Sequence, residues 1–295
     1  MRNDICLFLD EAKKTRDEII SGESNPGFMY GFVKNSKDTK VNIIDQSLKN
    51  VFKTRINDIV IVNRLKFVPL LKFIRRKVIL ININSNHDLD YISGSGLKKF
   101  ILRKYYLFSY KVADRIICLS PTQVKKLEEL GLNNLSVTPL GCDEDLIKRY
   151  KASKVGDYYL SAGFDEGKNF KFLERAIGKK KLIVLNKSNK VSYSEYLKLM
   201  ARCRGFVLNI KHSARSSDLS GITTCCEALL LDKPVFINNQ PWLKKLLRKN
   251  YHIYESEEDL RNLIGENTTF VKMNKKHLTL SNFNKKLLEI IDELR

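Results

Sequence analysis

ADRIICLSPTQVKKLEELGLNNLSVTPLGCDEDLI (113–147) is the stretch on which the fold turns. Its apolar run Arg115–Leu119 reads as a buried strand. Ser120 follows as a helix N-cap, with Pro121 at the first helical position, where its missing N–H costs nothing. Pro121–Leu130 carries a helical period, and Val137–Gly141 reads as a strand running into a turn. Strand, helix and strand in this order are the unit of a parallel sheet with crossover helices.

Working outward, the same alternation continues on both sides. Upstream, Ile5–Leu9, Val41–Ile44, Asp58–Val62 and Lys77–Ile83 read as strands, with helices over Phe67–Ile74 and Gly96–Ala113. Downstream, KRYKASKVGD (148–157) is polar and without hydrophobic period, the place expected for an interdomain linker. A second set follows, with strands at Tyr158–Ala162, Lys181–Leu185, Gly205–Ile210 and Pro234–Asn238. Helices are expected at Asn169–Ile177, Ser192–Ala201, Ile222–Leu231, Trp242–Lys249, Glu257–Leu263 and Ser281–Leu294. The expected architecture is α/β, with two Rossmann-like parallel-sheet domains, residues 1–150 and 151–295, facing across a cleft. Ligands of such sheets bind beyond the carboxyl ends of the strands, against helix N-termini.

Composition narrows the function. Fifty-three Lys and Arg against 33 Asp and Glu give the 295-residue chain a net charge of +20, which excludes an acid-lined calcium protein and favours a polyanionic partner. The six cysteines form no CxxC pair, and several sit in apolar runs. A reduced, cytoplasmic setting is the simplest reading, with neither a disulfide framework nor a zinc site. The opening MRNDICLFLDEAKK is unlike a signal peptide. No apolar run reaches the ~18 residues needed to span a membrane.

Four constellations carry chemistry. YYLSAGFDEGKNFK (158–171) is a strand, a glycine turn and a helix start. Gly163-x-x-x-Gly167 is one residue short of a P-loop and Asn169 stands where Ser or Thr would hold magnesium, so a nucleoside triphosphatase is rejected. The same geometry presents Lys168 and backbone N–H groups to a diphosphate, against the plainer reading of a turn with a solvated lysine. In SSDLSGITTCCEALLLDKP (216–234), Ser220 and Gly221 precede a helix with Thr223 and Thr224 in its first turn. Glycine admits a ligand to the backbone, and the helix start favours an anion. Glu227 on that helix is set among Cys225, Cys226, Ala228 and Leu229, where an unpartnered carboxylate would be costly, and it is suited to accept two hydrogen bonds from a ribose diol. In ILININSNHDLD (79–90), His87 follows a strand end and can donate to a phosphate or sugar hydroxyl; capping its own loop is the alternative. Finally, KKFILRKYYLFSYK (98–111) interleaves cations with aromatics. It reads as a membrane-surface helix, a single-strand nucleic-acid platform, or a crossover helix with a solvated basic face.

These residues resemble the GT-B glycosyltransferases, especially the retaining group called family 4. Residues 113–147 resemble that family's strand, helix and "v-x-v-x-p-x-Gvd" run. YYLSAGFDEGKNFKFLERAI is similar to its "vGR…K" strand-loop, SGITTCCEALLLDKPVF to its "G…EA…gkPv" donor helix, and His87-Asp88 to its "tvHD". The matches keep the family's order over roughly residues 58–240. The resemblance implies metal-independent sugar transfer, without cofactor, from a nucleoside diphosphate sugar to a glycan or lipid-linked acceptor, with retention. It implies that Lys168 neutralises the donor diphosphate and Glu227 holds the ribose. Gly221, Ile222 and Thr223 would offer N–H groups to the phosphates, and His87 would face the transferred sugar. Gly163, Asp218 and Ser220 complete the expected donor site.

The chain departs from the pattern at two points. Phe164 replaces the family's arginine, with Lys211 or Arg215 as substitutes. The family's first acid, eight residues before the glutamate, falls on Leu219, one residue from Asp218. These departures motivate a non-catalytic protein of the same fold as a rival reading, and the charge motivates a basic nucleic-acid-directed protein as another. Dispersal of the basic clusters speaks against a specific nucleic acid and for attraction to anions, an anionic membrane surface included.

Overall fold

The computed structural model of the protein describes residues 5–9, 32–33, 41–74, 76–82, 96–152, 154–163, 167–179, 181–211, 221–238, 251–266 and 271–295. The first sheet is built from β1 (Ile5–Leu9), β2 (Val41–Asp45), β3 (Ile59–Val62), β4 (Lys77–Asn82), β5 (Arg115–Cys118) and β6 (Leu135–Val137). They pair in the order β2-β1-β3-β4-β5-β6, all parallel. Its strands are apolar at successive positions because both faces are covered. Cys6, Phe8, Val60 and Val62 enter one core, and Ile5, Leu7, Ile59 and Ile61 enter the other.

One face carries α1 (Leu48–Val51) with its 3-10 continuation Phe52–Ile56, α2 (Val68–Phe73), α3 (Gly96–Val112) and α4 (Pro121–Glu128). The expected cap of α4 is present: the Ser120 hydroxyl accepts from the Gln123 backbone N–H at 3.3 Å. The strand expected over Val137–Gly141 instead ends at Val137. The Thr138 N–H still donates to the Cys118 carbonyl at 2.9 Å, but Pro139 has no N–H with which to continue the ladder.

After α5 (Glu144–Lys148) comes the second sheet, with β7 (Tyr159–Ala162), β8 (Leu182–Leu185), β9 (Phe206–Leu208), β10 (Val235–Asn238) and β11 (Tyr251–Tyr254). They pair in parallel, in the order β11-β10-β9-β7-β8. Its helices are α6 (Phe170–Ile177), α7 (Tyr193–Arg202), α8 (Ile222–Leu230) and α9 (Glu257–Gly265), and α10 (Leu280–Leu294) follows them in the chain. β11 was not expected from the sequence. The helix expected at Trp242–Lys249 lies outside the described residues.

Cys142 and Ile147 already belong to the core of the second sheet. The chain also returns: Leu280, Phe283, Leu287 and Ile291 of α10 are buried against β1, β3 and β4 of the first sheet. Outbound and returning segments touch as a parallel bridge between Cys142 and Thr279, with Cys142 N–H to Leu278 O and Leu280 N–H to Cys142 O both at 2.9 Å. They run so close that a Cβ on Gly141 would lie 2.1 Å from the Thr279 carbonyl oxygen.

Candidate functional site

In an open parallel sheet the crevice for a ligand forms where strand order reverses, beyond the carboxyl ends. In the second sheet this is between β7 and β9, since β8 lies on the far side of β7. Gly163 follows the end of β7, and Lys168 returns to bridge Ile210, just past β9. The loop is pinned on both sides of the lysine: Lys211 N–H donates to Gly167 O at 2.7 Å, and Asn169 N–H to Asn209 O at 2.9 Å. The receiving strand end is itself held. The Asn238 amide accepts from Ile210 N–H and donates to Ile210 O, both at 2.8 Å. The Tyr254 hydroxyl donates to Leu208 O at 2.6 Å and accepts from the Asn209 amide at 3.2 Å.

Lys168 is only 7% exposed. Its stem lies over Gly163, where a Cβ would come within 2.8 Å of Cε and 2.9 Å of Cγ. Its ammonium reaches Gly221, with Nζ 3.5 Å from the position of a Cβ there. Gly221 is the N-cap of α8 with φ +84°, a left-handed conformation that favours glycine. A buried cation and the positive end of a nine-residue helix therefore meet at the sheet's switch point. Two like-signed groups arranged this way favour an anion between them.

Thr224 turns its hydroxyl back onto the Gly221 carbonyl at 3.0 Å, so that proton is already used. Thr223 is exposed, Ile222 is buried, and the Thr223 carbonyl accepts from the Cys142 thiol at 3.6 Å, which ties α8 to the crossing segment.

Glu227 is buried, as its apolar neighbours implied, and it is not left unpartnered. Tyr193 and Tyr196 of α7 donate their hydroxyls to its two carboxylate oxygens, each at 2.7 Å. The tyrosine rings stack with centroids 5.8 Å apart. Burial raises the carboxyl to about 7, while the two hydroxyl bonds pull the other way.

The structure thus brings Gly163, Lys168 and Gly221 together, with Ile222 and Thr223 following in the first turn of α8 and Glu227 further along it. His87, Asp218 and Ser220 lie outside the described residues, as do Phe164 and Arg215. Lys211 is described, with its side chain exposed. Among the described residues no group of three or more His, Cys, Asp or Glu is placed to hold a metal ion. All six cysteines are buried and free. Sequence reasoning missed Tyr193, Tyr196, Asn209, Asn238 and Tyr254. The two tyrosines sit three apart on one helical face, a pattern that indicates shared contacts without naming the partner.

No protein-family model matches the chain, and no curated protein does. Solved structures do match. Sucrose-phosphate synthase from Thermosynechococcus elongatus superposes with a TM-score of 0.70 at 10% identity, covering 99% of each chain. The Anabaena protein Alr3699/HepE, solved with UDP, superposes with a TM-score of 0.68 at 13% identity, over 98% of this chain and 100% of the other. A putative UDP-N-acetylglucosamine 2-epimerase from Listeria monocytogenes gives 0.58 at 9% identity, over 99% and 96%. At these identities the likeness carries architecture: the chain has two Rossmann-like parallel-sheet domains arranged as in the GT-B fold.

Proposed function

We propose that the protein is a retaining, metal-independent glycosyltransferase, moving a sugar from a nucleoside diphosphate sugar to a glycan or lipid-linked acceptor. The observation that carries this reading is the convergence of the Lys168 ammonium with the start of α8 at Gly221. There the donor diphosphate binds, its charge met by the lysine and by the N–H groups of Ile222 and Thr223. The ribose hydroxyls donate to Glu227. The acceptor oxygen forms its bond to the anomeric carbon as the bond from that carbon to the phosphate oxygen breaks. The acceptor's proton passes to the departing diphosphate on the same face. The protein contributes fixed positive charge where negative charge develops, with no reorganisation at the moment of reaction. His87 faces the transferred sugar, and Asp218, Ser220 and Gly163 border the donor. Six buried thiols fit a reducing cytoplasm.

Because Alr3699/HepE was crystallised with UDP and UDP-glucose, UDP is the first nucleotide to try. A thermal-shift panel of UDP, GDP, ADP and CMP, followed by transfer assays with the matching sugars, tests the reading. One nucleotide should raise the melting temperature, since a ligand that binds only the native state stabilises it. No shift from any of them would sink it.

Glu227 adds a pH signature. The donor hydroxyls need an ionised acceptor, so donor affinity should weaken as pH falls through about 7, and Glu227→Gln should remove that dependence. The apo protein should show the opposite trend in stability. Between the ordinary 4.5 and about 7 the native carboxyl keeps a proton that the unfolded chain has released. Stability therefore declines as pH rises across that window, by on the order of 3 kcal/mol, and levels off above it. A flat profile in both measurements would remove Glu227 from the site.

A further inference from the structure

An acceptor carried on lipid requires work at a bilayer, and the first sheet offers a surface for it. Of the twelve large apolar side chains exposed among the described residues, nine lie on α1 with its continuation, on α2 and on α3. Phe73 is 84% exposed, Ile56 74% and Leu97 73%, with Phe52, Phe100 and Ile101 close behind. All three segments belong to the helical layer on one face of the first sheet. Val51, Val68 and Tyr110 turn inward to the core, so the exposed residues look outward. The first half of α3 is almost wholly exposed, and its buried residues, Ser109 and Tyr110, lie in the second half.

Charge on this layer has one sign. Residues 48–56, 65–73 and 96–112 contain ten Lys and Arg and not one Asp or Glu. Lys72 is taken by Asp114 at 2.8 Å. Elsewhere cations stand beside rings: Arg55 lies 4.8 Å from the Phe52 ring centroid and Lys104 5.5 Å from that of Phe100. The helices on the second sheet differ, since α6, α7 and α9 all carry acids.

We propose that the outer face of α1, α2 and α3 docks on an anionic lipid bilayer. Apolar side chains enter the headgroup boundary to shallow depth while Lys and Arg stems run alongside and their charges meet lipid phosphates. A protein partner would have to bury these cations, each needing its own acid. A nucleic acid would use the aromatics for stacking, but it gives no role to exposed Ile56, Leu97 and Ile101, which have no π-face. The position of α3 suits the chemistry. As a crossover helix between parallel strands β4 and β5 it begins at the carboxyl edge of the sheet. Its exposed first half, Leu97–Lys104, therefore sits at the rim where such sheets take ligands. Only this last point, the delivery of a lipid-borne acceptor to the cleft, rests on the transfer reading.

Vesicle flotation of the full chain tests the docking without any turnover. Wild type should float with phosphatidylcholine vesicles containing about one-third phosphatidylglycerol and not with phosphatidylcholine alone, and about 0.5 M salt should weaken the binding. The triple variant Phe73→Ser, Phe100→Ser, Ile101→Ser should lose about tenfold or more in partition through lost apolar insertion. Lys98→Gln, Lys99→Gln, Arg103→Gln, Lys104→Gln should lose the preference for anionic lipid. Both should keep the wild-type melting temperature and nucleotide shift, because the replaced side chains touch solvent. Absent flotation of wild type, equal flotation on neutral vesicles, or flotation unchanged in the triple variant overturns the proposal. So does a chain that ignores vesicles and holds poly(U) through the same side chains. A chain that floats but transfers no sugar counts against the transfer reading alone.

Discussion

Replacing Lys168 by alanine should lower kcat/KM for the donor by about two to three orders of magnitude, the ~2–4 kcal/mol that one preorganised electrostatic contact supplies. Placement sets the size of the effect. An ammonium on a solvated loop would be screened and mobile, but Lys168 is 7% exposed, bridged through its backbone to Ile210 and laid over Gly163. Its charge is delivered to Gly221 at the start of α8, where the helix field already favours an anion. Truncation to alanine also leaves a hollow above Gly163, so Lys168→Met is the sharper variant: it keeps the stem and the melting temperature while losing the charge. Gly163→Ala approaches the same interaction from below. Its Cβ would stand 2.8 Å from Cε, the lysine must move, and a displacement of about 1 Å should cost up to about a hundredfold in turnover. Full activity in both Lys168 variants would show that the diphosphate is neutralised elsewhere.

Much of this was legible in the chain, and what was not has identifiable causes. β1 begins and ends where ICLFL predicts, because a strand buried on both faces is apolar at every position. The start of α8 was legible because Ser-Gly before an apolar helical run is a local signal. Lys168 beside Gly221 followed from two such signals on neighbouring crossovers. β11 was missed because YHIY is four residues long, lies between polar runs and forms the sheet's edge, where one side of the strand needs no partner. The tyrosines that hold Glu227 are 34 and 31 residues away, and nothing local says that α7 and α8 bring them to one carboxylate. The same holds for Asn238 and Ile210, joined across 28 residues. The bridge between Cys142 and Thr279 spans 137 positions and left no local signal. Amphipathicity identified α10 as a helix but does not say which of two sheets its apolar face will cover.

That ambiguity makes α10 the place for the second large effect. Phe283→Ala should destabilise the protein by about 3–5 kcal/mol, read as a lower urea midpoint, whereas Phe100→Ala should stay within about 0.5 kcal/mol. Phe283 is fully buried between α10 and the first sheet, and Phe100 is 58% exposed on α3. Truncating Phe283 removes the largest apolar side chain that α10 buries against the strands, leaving Leu280, Leu287, Ile290 and Ile291 around a cavity. The polar fastenings of α10 sit at its ends: Glu144 accepts from Leu280 N–H at 3.2 Å and from the Ser281 hydroxyl at 2.5 Å, and Arg115 pairs with Glu293 at 2.9 Å. They hold direction but contribute little against loss of the buried ring, because such hydrogen bonds and exposed ion pairs give about 1 kcal/mol each. If α10 were only laid on the surface, the two phenylalanine variants would melt alike. If it closes one face of the first sheet, the buried ring governs stability while the exposed ring governs only attachment to vesicles, and the two measurements separate on residues of the same type.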